Sequence, residues 1–73
     1  MKRDLSQDLQ RIQTHLGNGR FAAGVSLCRE VLTYAPSDPN ALYLLGLGAA
    51  QLGDATTTRE AFYAAWQITP DRV

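Results

Sequence analysis

The sequence predicts an all-α protein, a stack of two antiparallel helical hairpins, on three observations. Apolar residues recur at three- and four-residue intervals in four separate runs, which is the period of one face of a helix. Glycine and proline fall between the runs, where they stop a helix. The punctuation itself repeats, because the interval from Gly19 to Gly53 is the same as that from Pro36 to Pro70. A period of about 34 residues marks a helix-turn-helix array.

In the first run, Leu5, Leu9, Ile12 and Leu16 lie along one side of a helix that begins near Asp4. Asp4 with Gln7 three residues on suits an N-terminal cap. Gly17-Asn18-Gly19 ends this helix, because glycine and asparagine accept left-handed backbone at little cost. The turn is tight, so the next helix folds back. Phe21, Val25, Cys28, Val31, Leu32 and Ala35 give the second helix its apolar face, with Arg29 and Glu30 outside. Pro36 closes it by pushing the preceding residue out of helical backbone. Ser37-Asp38-Pro39 is a strong start signal, a capping side chain followed by proline at the first helical position. The third helix carries Leu42, Leu45, Gly46 and Ala49 on one face, where small residues allow a neighbouring axis to come close. Gly53 ends it. Asp54 caps the fourth helix, which runs through Phe62, Ala65, Trp66 and Ile68 to Thr69-Pro70. Thr56-Thr57-Thr58 is its weak turn, since each threonine costs about 0.5 kcal/mol of helix propensity relative to alanine.

With 73 residues there is room for one small domain, spanning 1–73, whose core is only marginally sufficient. Seven basic residues balance seven acidic ones, so there is no basic field to neutralise a phosphate backbone and no nucleic-acid partner is expected. The single cysteine, Cys28, excludes an internal disulfide, and the polar start through Ser6-Gln7-Asp8 does not read as a signal peptide. A cytoplasmic protein is expected. The longest apolar stretch, from Ala41 to Leu52, is interrupted by Gln51 and falls well short of the roughly 20 residues that span a bilayer. No membrane partner is expected either.

These residues resemble the tetratricopeptide repeat family, whose repeat is two antiparallel helices with Leu-Gly in the first, then a small residue, an aromatic, an alanine and a closing proline in the second. Leu42, Leu45, Gly46, Phe62, Ala65 and Pro70 stand in those places in the second repeat, about 39–72. Ala49 stands where the family prefers a large residue and Thr58 where it prefers alanine. In the first repeat, about 5–38, Gly24, Cys28, Val31 and Pro36 take the corresponding places. The resemblance implies a right-handed α-solenoid stack. A shift by one repeat puts Asp8, Arg11 and His15 opposite Leu42, Leu45 and Ala49, and burying three polar side chains unpaired costs several kcal/mol. That burial is not expected. Either the first helix is rotated so that its four apolar residues face inward, or Asn18-Gly19 is an insertion that shifts the register.

In the resembled family the first helix of each repeat lines a concave groove, which implies partner-binding roles for Asn40, Tyr43, Leu47, Ala50 and Gln51. Asn40, Tyr43, Leu47 and Gln51 form one stripe by spacing, on the side away from Leu42, Leu45 and Ala49. The plainer alternative is that Tyr43 and Leu47 pack against the first repeat. The family's carboxylate clamp needs lysine and asparagine at groove positions, and those places read Leu9, Gln13 and Leu44 here, so a chaperone-tail adaptor is not expected.

Chemistry is sparse. His15 and Cys28 are single residues of their kinds, too few for a metal site and without an orienting third group for nucleophilic catalysis. Cys28 reads as a small core residue, His15 as a surface or helix-end side chain, and Asp38, Asp54 and Asp71 as caps. No enzyme activity, metal or cofactor is expected. The expected function is a non-catalytic module that binds a protein or peptide partner. Two alternatives stand beside it. One is a self-associating unit that forms a homo-oligomer through Tyr63, Trp66 and Ile68 on the fourth helix. The other is an accessory segment of a longer protein, since such repeats resemble segments that precede bacterial transferase domains.

Overall fold

The computed structural model describes residues 4–70. Four α-helices make up the fold: α1 Leu5–Gly17, α2 Phe21–Tyr34, α3 Pro39–Gln51 and α4 Ala55–Ile68. The described residues contain no strand. Asp71 and the last positions of the second repeat frame, 71–72, lie outside the described residues.

Three helices start on an aspartate. The Asp4 carboxylate accepts from the Gln7 N–H at 3.3 Å, Asp38 from Ala41 at 2.8 Å and Asp54 from Thr57 at 3.1 Å, each satisfying one of the donors that a helix start leaves unpaired. Only α2, which follows Arg20, has no side-chain cap. The threonine turn of α4 is in place, with the Thr58 hydroxyl donating to the Asp54 carbonyl at 2.8 Å.

The repeat is geometric as well as compositional. Shifted by the interval from Gly19 to Gly53, the bounds of α1 fall on those of α3, and the bounds of α2 on those of α4. Gly19 and Gly53 take φ of 77° and 78°, left-handed values that favour glycine. Arg20 N–H donates to the His15 carbonyl at 2.8 Å and Asp54 N–H to that of Ala49 at 2.9 Å. Both turns are therefore Schellman motifs of one kind. Asn18-Gly19 is not an insertion.

α3 is the central helix. It packs against α1, α2 and α4, whereas α4 packs against α3 alone. This explains why α3 is apolar nearly all round, with Ala41, Leu42, Leu44, Leu45, Gly46, Gly48 and Ala49 buried. Its two buried glycines admit different neighbours. A methyl built on Gly46 would lie 2.6 Å from Phe62 Cδ1 of α4, and one on Gly48 would lie 2.8 Å from Val25 Cγ2 of α2. The core also contains Ile12, Cys28, Val31 and Ala61.

α1 turns its apolar side inward. Ile12 is fully buried, and Leu5, Leu9 and Leu16 pack on the core. Arg11 is exposed and His15 half-buried. Asp8 corrects the sequence reading, because it is buried, at 5 % exposure. The Tyr34 hydroxyl donates to its carboxylate at 2.6 Å, and Asp8 lies in the first turn of α1, near the positive end of the helix dipole. Both terms offset the loss of water.

Candidate functional site

Because α3 is covered by three helices, what it leaves uncovered is a single narrow stripe. Its residues outside the buried set are Pro39 and Asn40, Tyr43, Leu47, Ala50 and Gln51. Leu47 is 38 % exposed, and Ala50 and Gln51 are exposed as well. Tyr43 is half-buried. Its ring lies 5.6 Å from that of Phe62 on α4, tilted by 42°, a favourable aromatic geometry. Tyr43 thus supports the α3–α4 contact as well as edging the stripe. Of the clamp positions, Leu9 packs on the core and Leu44 is buried, while Gln13 is exposed.

A second apolar surface lies on α4. Tyr63, Trp66 and Ile68 are 62 %, 47 % and 41 % exposed, and the Tyr63 and Trp66 rings stack with centroids 6.5 Å apart. Between α3 and α4, Ala50, Gly53, Ala55, Thr58 and Arg59 line an apolar hollow of about 310 Å³. Of these, sequence reasoning gave a binding role only to Ala50. The signal was present in the repeat: Leu16, Phe21 and Val25 of the first hairpin become Ala50, Ala55 and Arg59 in the second, so the large side chains at the first two places give way to small ones.

The opposite end of the molecule is polar. Gln7, Gln10, Arg11, Thr14 and His15 line a polar depression on α1, also of about 310 Å³. Among the described residues, no three His, Cys, Asp or Glu side chains converge as metal ligands, and no helix is long and apolar enough to cross a membrane. Cys28 has no exposed surface. Burial pushes its thiol up to about 12, against a small opposing effect of Arg29, which leaves it a poor nucleophile at neutral pH.

No family model, no curated protein and no solved structure matches the chain.

Proposed function

We propose that the chain is a non-catalytic interaction module of the tetratricopeptide type. In this reading the four helices form a right-handed stack of two hairpins, work in the cytoplasm, and hold a partner peptide or helix along Asn40, Tyr43, Leu47, Ala50 and Gln51. The observation that carries it is the stripe on α3: a helix packed on by three others leaves one line of residues outside its buried set, half-buried at Asn40 and Tyr43 and exposed at Leu47, Ala50 and Gln51, with both apolar and amide character. The recurrence of helix bounds and turn hydrogen bonds from the first hairpin to the second supports the repeat assignment.

Panning a random peptide library against the chain, then following backbone amide shifts with an enriched peptide, tests the reading. Shifts should cluster at Asn40, Leu47 and Gln51. Leu47→Glu should weaken binding by about thirtyfold, as loss of an interface anchor does, with the melting temperature unchanged because Leu47 is exposed. Enriched peptides that bind Leu47→Glu as tightly as the parent chain would sink the groove.

A further inference from the structure

The seat that α3 occupies on the first hairpin has an open counterpart on the second. Gly48 of α3 approaches the side chains of Leu16 of α1 and Val25 of α2, and the backbone carbonyl of Phe21. One repeat on, these three positions are Ala50, Ala55 and Arg59, which line the hollow between α3 and α4. The tight seat filled by a glycine hydrogen on the first hairpin is an open surface hollow on the second, so a close-packed contact there requires a large side chain. Farther along α4, Trp66 takes the place of Leu32, which packs on the core in the first hairpin, and Trp66 is 47 % exposed. One face therefore carries both a hollow and a projecting indole.

We propose that this face is self-complementary and binds a second copy of the chain across a two-fold axis, each Trp66 entering the hollow of the other copy. The register follows from helix geometry. Arg59, Tyr63 and Trp66 are spaced by four and three, so they share one side of α4. Two α4 helices laid antiparallel, with the axis beside Phe62 and Tyr63, bring Trp66 of each copy opposite Arg59 of the other. The indole then meets a guanidinium face to face, a favourable cation–π contact. The stacked Tyr63–Trp66 pair supplies a broad aromatic surface near the axis. An isologous contact of this kind closes at two copies.

A head-to-tail stack is disfavoured by the other end of the molecule. There, the places that correspond to Ala41, Leu44, Leu45, Gly48 and Ala49 are Gln7, Gln10, Arg11, Thr14 and His15, and seating these in an apolar hollow would strip their water without replacement. The net charge of zero leaves no long-range repulsion between copies.

Sedimentation velocity and Trp66 emission, recorded on the full chain from micromolar to millimolar concentration, test the proposal. The mass should move from monomer to dimer while the emission shifts to the blue. Trp66→Ala removes the knob and Ala55→Phe fills the hollow; both positions are exposed, so both variants should fold, and each should weaken association by about tenfold or more. An equimolar mixture of the two variants retains one knob and one matching hollow, and should associate more tightly than either variant alone. A mixture no tighter than its components, or a dimer indifferent to Trp66→Ala, overturns the pairing. Species that grow beyond the dimer would mean head-to-tail stacking and overturn it too. A wild-type monomer at millimolar concentration also overturns it and leaves the face to a helix of another protein. The two surfaces share Ala50, but neither variant alters a groove residue, so the groove reading is decided separately by Leu47→Glu.

Discussion

Tyr34, the last residue of α2, donates its hydroxyl to the buried Asp8 carboxylate of α1 at 2.6 Å, and the same two places one repeat later hold Ile68 and Leu42. The first hairpin thus joins its helices with a polar contact where the second has apolar residues. A hydrogen bond to a charged group contributes about 1.5 to 3 kcal/mol. Tyr34→Phe should therefore cost about that much in urea unfolding. The double variant Asp8→Leu with Tyr34→Ile copies the second hairpin and should recover much of that loss, because the buried member of the pair becomes apolar while Tyr34 is 38 % exposed. A double variant that loses the sum of both single effects would show that the two residues are not coupled.

The glycines of the hairpins should not tolerate a methyl equally. Gly46→Ala drives a methyl into the Phe62 ring, within 2.6 Å of Cδ1 and 2.9 Å of Cζ, and overpacking of this kind costs about 1 to 3 kcal/mol. At Gly24 the sequence alone suggests a gain in helix propensity of about 0.5 to 1 kcal/mol. The structure places Leu16 Cδ2 at 2.7 Å and Cγ at 3.2 Å from that methyl, so the gain should be cancelled while the half-buried Leu16 turns aside. Thermal melts should rank Gly24→Ala well above Gly46→Ala. The reverse order would contradict the α3–α4 packing.

Cys28 gives the fold an alkaline limit. Its thiol rises from 9.0 in an open chain to about 12 in the core, so folding favours the neutral form. The sign is then fixed: nothing is lost below pH 9, and stability falls as pH climbs from 9 toward 12. Cys28→Ala should flatten the alkaline limb of a denaturation-against-pH curve. At pH 8 the native thiol should react with a disulfide reagent far more slowly than the urea-unfolded chain.

Asp54 acts at the other end of the scale. Hydrogen bonds from the side chain and then the backbone of Thr57 hold its carboxyl below the usual 3.8. The carboxylate form therefore supports α4, and that support is complete above about pH 4 and lost as pH falls through the lowered value. Asp54→Ala should reduce helicity at neutral pH and make it less sensitive to acid below about pH 4. A helicity curve identical to that of the parent would show that Thr56-Thr57-Thr58 needs no cap.

The helices were readable because most boundaries carry their own local chemistry, the uncapped start of α2 excepted. Asp38-Pro39 opens α3 and Gly53, with φ of 78°, closes it, and both effects operate within a few residues. What α1 does with Asp8 was not readable, since one group that offsets its burial, Tyr34, is 26 residues away. The same limit applies to Tyr43: spacing puts it on the exposed stripe, but only the fold brings Phe62 to its ring. Gly48 reads as any glycine in an apolar run, because its close approach to Val25 and Leu16 exists only in the fold.

Because α4 rests on α3 alone while α3 touches every other helix, the energetics of this molecule resemble a short chain of nearest neighbours. Its local contacts favour rapid folding. Opening should also be hierarchical: α4 can detach while α1, α2 and α3 keep their mutual contacts, whereas α3 cannot leave without dissolving the whole. The helix that carries Trp66 is then the one whose order another molecule could most readily add to, since anything bound to it supplies a second neighbour to an element that otherwise has one.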